Sequence, residues 1–386
     1  MDIKALDKEY IMPTYGRFDL CITSGKGSTL YDENGKKYID FGTGIAVNTF
    51  GVNDEEWKNA VIEQIGKIQH TSNLYYSEPC AKLAEILCKR TGMKKVFFSN
   101  SGAEANECAI KGARKFGTDI NPEKNVIITL QNSFHGRTIT TLSATGQDVF
   151  HKNFTPFTEG FVYVEANNIE ELQKAINDKV CAIMIEVVQG EGGVNTLDKD
   201  FLAEIEKITT EKDILLVIDE VQTGNGRTGK LYSYMNFDLT PDIVSTAKGL
   251  AGGLPMGATM FGERVQEILP PSSHGSTFGG NPVCANAAIS IINRLDDNLL
   301  ADVTAKSNHI IDRLKSIPKV KSVSGLGFML GVEIDGEAKD VVNKCIEKGL
   351  LVLTAKTKVR FLPALNISLE EIDAGLDIFE SVLKGE

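Results

Sequence analysis

Ile214-Leu215-Leu216-Val217-Ile218-Asp219-Glu220-Val221-Gln222 is the stretch on which the fold turns. Residues 214–218 are all apolar and rich in β-branched side chains, so neither face is made for water. Such a run suits a central strand covered by helices above and below. An acid directly at its end is costly unless something positive meets it, which makes Asp219 a candidate functional group; a structural salt bridge is the plain alternative. Working outward, short β-branched or aromatic runs at 96–99, 126–130, 161–164, 182–188, 243–246 and 258–261 alternate with longer amphipathic segments. That alternation implies parallel strands joined by helices. From about Asn286 the pattern changes to a long helix, a strand near 329–334, a helix before Gly349, strands near Leu351 and Val359, and a closing helix. At 386 residues the chain exceeds the usual ceiling of roughly 250–300 for one core. The expectation is an α/β protein with a large, mostly parallel sheet domain over 49–285 and a smaller α+β domain built from 1–48 and 286–386.

Composition narrows the partners. A formal charge of −11 would repel nucleic acid or an anionic membrane surface, so a small molecule is the better default. The seven cysteines are scattered, without a C-x-x-C pair, and read as reduced thiols of a cytoplasmic protein. The N-terminal residues lack a basic segment followed by an apolar one, and no apolar run approaches the about 20 residues needed to cross a bilayer.

In an open parallel sheet, ligands bind beyond the carboxyl ends of the strands, so the residues after each apolar run carry the functional information. After the first comes Asn100-Ser101-Gly102-Ala103-Glu104, where the free amides of a helix start could hold a phosphate; ordinary capping explains Ser and Asn equally well. After the second comes Phe134-His135-Gly136-Arg137, a flat ring for stacking and a guanidinium for a carboxylate; a packed Phe, a solvated Arg and a structural His are the bland alternatives. Glu186 and Glu191 flank a glycine-rich turn, where the usual fate of an acid is exposure. Lys248 follows the strand at 243–246 and precedes Gly249, Gly252 and Gly253. Alone it would be an ordinary surface lysine.

Together, Lys248 and Asp219 suggest more. A lysine amine forms an imine with an aldehyde, and pyridoxal 5′-phosphate chemistry needs such a lysine plus an acid that keeps the pyridine nitrogen protonated. Freed from the cofactor by substrate, the same amine can shuttle the substrate proton, a role worth about 10² to 10⁴ in rate.

With these residues assembled, the chain resembles the fold type I, class III aminotransferases acting on ω-amino groups, and within them the acetylornithine aminotransferases. The resemblance covers nearly the whole chain and rests on Asn100–Glu107, Phe134–Thr138, Gln189–Gly193, Asp219–Gly224, Ala247–Gly249 and His274-Gly275-Ser276-Thr277-Phe278-Gly279-Gly280-Asn281, in that order. It implies that Lys248 carries pyridoxal 5′-phosphate, Asp219 pairs with the ring nitrogen, Gln222 lies near the ring hydroxyl and Phe134 stacks on the ring. Ser101, Gly102 and Ala103 would bind the phosphate, joined by Thr277 of the other subunit in an obligate homodimer with shared sites. Arg360 matches the arginine that receives the α-carboxylate of 2-oxoglutarate or glutamate, and Arg137 the one that holds the distal carboxylate of acetylornithine. Glu191 is similar to the acid that masks Arg360 during the ornithine-type half-reaction, and Ser276 belongs to the substrate-binding set. The implied reaction moves the terminal amine of N-acetylornithine to 2-oxoglutarate, a step of arginine biosynthesis. Val187 departs from the proline usual after Glu186, and Gly51-Val52-Asn53 from a His-containing stretch. Gly44 stands where ornithine aminotransferases place a bulky tyrosine, which leaves room for an acyl group.

Rival readings fare less well. Gly224-Asn225-Gly226-Arg227-Thr228-Gly229 satisfies G-x-G-x-x-G, but Asp219–Gln222 separates it from the strand and no clear helical pattern follows. There is no G-x-S-x-G, and the five histidines show no ligand spacing, so no metal is expected. A non-catalytic binding module on the same fold, or a related enzyme taking succinylornithine, succinyl-diaminopimelate, ornithine or 4-aminobutyrate, is the remaining alternative.

Overall fold

The computed structural model describes residues 2–385. Its centre is a seven-stranded sheet in the order Lys95–Ser99, Gly257–Phe261, Ile243–Thr246, Leu215–Asp219, Val180–Ile185, Val126–Leu130, Phe161–Val164. The sheet is parallel except at Gly257–Phe261, which runs antiparallel to both neighbours. Leu215–Asp219 lies in the middle and is buried at every residue. Leu215 and Val217 join a cluster with Cys108, Ala109 and Ala113 of the helix Gly102–Ile120. Leu216 and Ile218 join the larger core with Phe201, Leu202 and Ile205 of the helix Lys199–Glu211. Period-2 alternation across two covered faces is the physical reason this strand has no polar side.

The helix Gly102–Ile120 begins at Ser101, whose side chain accepts the Glu104 amide at 3.2 Å. It lies close to the sheet because its inner face is small: a Cβ on Gly112 would sit 2.9 Å from the Phe261 ring. Two four-stranded sheets complete the molecule. In one, Ile22–Lys26, Thr29–Asp32 and Lys37–Asp40 pair in sequence, and Leu350–Leu351 adds in parallel beside Ile39 and Asp40. In the other, Val320–Leu326, Met329–Ile334, Lys358–Phe361 and Leu353–Ala355 form an antiparallel sheet.

One expectation about the strands needs correction. The run at 182–188 is not one strand: the central strand ends at Ile185, and Val188–Gln189 pairs instead with Asn195–Thr196. The cause is local, because Glu186 folds back to accept the Gly190 amide and draws the chain out of the sheet. The strand Val320–Leu326 and its short companion Leu353–Ala355 had no clear sequence signal. Gly226 and Gly229 of the G-x-G-x-x-G match serve packing: both have positive φ, and a Cβ on Gly226 would meet Leu365 at 2.7 Å. Among the described residues, no helix is long and apolar enough to cross a membrane.

Candidate active site

The carboxyl ends of the parallel strands open into a cavity of about 420 Å³. Asn100 to Ala103, Phe134 to Arg137, Glu186, Asp219, Gln222 and Lys248 all line it, each delivered by the turn after a strand. Val47 closes it from the N-terminal segment. That segment holds a left-handed turn, with φ of 46°, 63°, 67° and 60° from Thr43 to Ala46. Such a conformation costs roughly 1–2 kcal/mol per non-glycine residue. It is held by Asp40 Oδ1, which accepts the Gly42 and Thr43 amides, and by the Thr43 hydroxyl donating to the Leu362 carbonyl at 2.7 Å.

Asp219 is 3% exposed and its carboxylate is fully engaged by the protein on one side. Oδ2 accepts from Asn106 Nδ2 at 2.7 Å and from His135 Nδ1 at 2.8 Å, and Oδ1 accepts the Val221 amide at 2.9 Å. Burial disfavours a charged His135, but the adjoining Asp219 carboxylate outweighs it and raises the imidazole above its ordinary pKa. Asn106 is fixed in turn by donating to the His135 carbonyl and accepting from Ser245 Oγ at 2.6 Å. Both supports lie far away in sequence, and His135, which reads as merely structural in isolation, is the direct partner of the key carboxylate.

Lys248 has φ +44°, a left-handed conformation that a lysine rarely adopts. Its amine makes no hydrogen bond or ion pair among the described residues. Burial pushes its pKa down, against the pull of Glu191 and Asp219, so the neutral, nucleophilic form is more accessible than for a surface lysine. The loop after it is pinned at both ends. Thr49 Oγ1 donates to the Gly249 carbonyl and Trp57 Nε1 to the Ala251 carbonyl, each at 2.8 Å.

At one pole, the first amides of the long helix at Gly102 and Ala103 have no intrahelical acceptor, and the helix dipole favours an anion there. Close approach depends on glycine: a Cβ on Gly102 would stand 2.5 Å from Val221. Ser101 Oγ accepts the Glu104 amide in the cap and keeps its O–H to donate to an anion. Phe134 is half-buried and meets Phe150 edge-on at 5.8 Å. The Arg137 guanidinium lies 3.9 Å over Phe150, exposed, with its fork free of any carboxylate among the described residues.

At the other pole, Arg360 and Glu191 sit behind Gln222 rather than on the cavity wall. Arg360 Nη1 donates to Glu191 Oε1 at 2.6 Å and to Gln222 Oε1 at 3.0 Å, while Gln222 Nε2 donates to Glu191 at 3.2 Å. Burial would raise Glu191, but the Arg360 charge prevails and holds the carboxyl below its ordinary range. Arg360 is 3% exposed, and its Nε–H has no partner among the described residues. A buried, half-satisfied guanidinium is a receptor for a planar carboxylate.

Glu186 corrects a second expectation: it is a buried wall residue, 6% exposed, not a solvated loop acid. Burial pushes its carboxyl up to about 7, with His135 pulling it down and Asp219 pushing it up. Ser276 and Thr277 are not on the cavity wall. Ser276 Oγ accepts from Asn100 Nδ2 at 3.2 Å and from the Gly279 amide at 2.9 Å, whereas Thr277 is exposed. Ser276 adjoins a surface groove with Asn73, Tyr75 and Tyr76, the two tyrosines being 71% and 107% exposed.

The cavity thus offers an amine for a carbonyl carbon, a carboxylate backed by imidazole and amide, a ring wall, a helix start for an anion and Arg137 for a carboxylate, with Arg360 held behind Gln222. Comparison with known proteins points the same way. The aminotransferase class III family profile matches residues 10–383. A protein of Haemophilus ducreyi named acetylornithine aminotransferase is 50% identical over 385 residues, covering 99% of this chain and 98% of its own length. Among solved structures, the N-acetylornithine aminotransferase of Stenotrophomonas maltophilia is 35% identical with a TM-score of 0.86, over 99% of this chain and 98% of that one. The ornithine aminotransferase of Toxoplasma gondii is 31% identical with a TM-score of 0.95, over 99% and 94%.

Proposed function

The chain belongs to the class III aminotransferases, and from that premise we propose that it transfers the terminal amino group of N-acetylornithine to 2-oxoglutarate, giving N-acetylglutamate semialdehyde and glutamate. The observation that carries this reading is the pairing, in one cavity, of an unpartnered Lys248 amine with a buttressed Asp219 carboxylate. These residues fit pyridoxal 5′-phosphate: a free helix start for the phosphate, a ring wall at Phe134, Asp219 for a protonated ring nitrogen, and Lys248 for the aldehyde. When bound, that cofactor supplies an aldehyde that condenses with a primary amine and a cationic ring that accepts the electron pair left by a departing proton.

Each residue then has a physical task. Asp219, oriented by Asn106 and His135, holds a proton at the ring nitrogen. Lys248 Nζ, released when substrate takes its place, moves the substrate proton. Arg137 is free to grip the distal carboxylate of the acylated donor, with Phe150 fixing the plane of its fork. Glu191 keeps Arg360 neutralised while that donor is bound, and yields when an α-carboxylate arrives. Regiochemistry follows, because the masked arginine leaves the terminal amine as the one presented to the cofactor. The higher TM-score to an ornithine enzyme does not weigh against an acylated donor, since shared shape does not fix substrate.

The working unit is a homodimer. Thr277 lies off the wall of its own cavity and is exposed, next in sequence to Ser276 of the Tyr75–Tyr76 groove, so it is available to complete the phosphate pole of a second copy. A division at 49–285 against 1–48 with 286–386 is supported by the pairing of Leu350–Leu351 with Lys37–Asp40.

A panel of half-reactions tests the substrate. The cofactor-loaded protein is mixed with N-acetylornithine, succinylornithine, succinyl-diaminopimelate, ornithine and 4-aminobutyrate, and the loss of its visible absorption band is timed. N-acetylornithine should be fastest; a clear lead for free ornithine or 4-aminobutyrate would refute the assignment. Arg360→Ala tests the division of labour. It should lower kcat/KM for glutamate and 2-oxoglutarate about 10- to 100-fold, the worth of a charged hydrogen-bonded pair, and spare the acylated donor. Equal damage to both would contradict the two-arginine scheme.

A further inference from the structure

Glu186 has no role in the chemistry above, yet it sits at the end of the strand Val180–Ile185, within the cavity wall. Its two oxygens point to different loops. Oε2 accepts the Phe134 amide at 2.9 Å, and Oε1 accepts the Gly190 amide at 3.3 Å. The first loop carries Phe134, His135 and Arg137; the second carries Glu191. Gly190 is also pressed against Gln222, since a Cβ there would lie 2.5 Å from Gln222 Oε1. Gln222 in turn holds both Glu191 and Arg360. A displacement of Gly190 is therefore passed to the pair that reads the second substrate.

We propose that Glu186 is a positioning residue that clamps the Phe134–Arg137 loop and the Glu191 loop to one another, setting the grip on the donor's distal carboxylate together with the mask over Arg360. The inference rests on the proposed function for what the two loops do, but not for the clamp itself. A carboxylate is needed because both amides require acceptors. A glutamine of the same shape offers one oxygen and turns an NH2 group towards the other N–H.

The test is Glu186→Gln in the cofactor-loaded protein, read by amide hydrogen exchange and by kinetics. Whichever of the peptides covering 131–137 and 188–193 faces the new NH2 group should exchange about tenfold faster than in the parent, the loss expected for one hydrogen bond, while peptides covering 215–219 stay unchanged. KM for N-acetylornithine should rise about tenfold with a smaller change in kcat, and the preference for that donor over glutamate should shrink. Unchanged exchange in both loops would overturn the clamp. So would uniform acceleration with equal losses in both half-reactions, because that is the signature of a merely structural residue. Should Glu186→Gln fail to fold, Glu186→Asp keeps both acceptors at shorter reach and should speed exchange in both loops, by less than about tenfold; loss of fold in both would reduce Glu186 to a structural part and sink the proposal. If the parent does not turn over N-acetylornithine, the proposed function fails, while the exchange result still decides the clamp.

Discussion

Lys248→Ala is expected to lower kcat about 10⁴-fold, the upper end of what a positioned general acid–base group supplies, and to abolish the yellow colour of the loaded protein. The fold should survive. Lys248 makes no hydrogen bond or ion pair among the described residues, and its left-handed φ is strain that alanine relieves no worse than lysine does. Thermal unfolding of the cofactor-free variant should therefore show it at least as stable as the parent, since the substitution removes a buried amine that burial penalises. A small primary amine added to the assay should restore part of the activity, since only the amine has been removed. Full turnover without Lys248 would be incompatible with the proposed function.

Asp219→Asn comes second in size. An ion pair at about 4 Å in a site of effective dielectric about 20 is worth about 4 kcal/mol, so replacing the carboxylate with a neutral amide should cost about 10³-fold in kcat. This variant should also be less stable. Asp219 accepts from Asn106, His135 and the Val221 amide, and an NH2 group turned towards any of these donors leaves a buried clash worth about 1–3 kcal/mol. The two effects separate experimentally, because His135→Gln should disturb the support with far less direct loss of ring protonation. Equal kcat values for Asp219→Asn and the parent would remove the carboxylate from the mechanism.

Much of the large sheet was legible because its strands are buried on both faces. Continuous apolar runs such as Val180–Ile185 and residues 214–218 signal themselves without any knowledge of neighbours. Lys248 and Asp219 were legible for a related reason: charge at the end of such a run demands an explanation. Glu186 was not, because a loop acid among glycines looks solvated, and its burial depends on the Phe134 amide 52 residues away. Nor were Asn106 and His135 as partners of Asp219, separated from it by 113 and 84 residues. Val320–Leu326 escaped because it is an edge strand, mixed in polarity and broken by Gly325, whose partners rather than its own sequence make it a strand. Local pattern carried the scaffold; the second layer of polar contacts belongs to the tertiary fold.

Reduction of the cofactor-loaded protein with borohydride, followed by peptide mass mapping, tests the central claim most directly. A single phosphopyridoxyl group fixed on the Nζ of Lys248, with the other lysines unmodified, is the predicted result. A label on a different lysine, or a protein that keeps its cofactor yet yields no labelled peptide, would contradict the account.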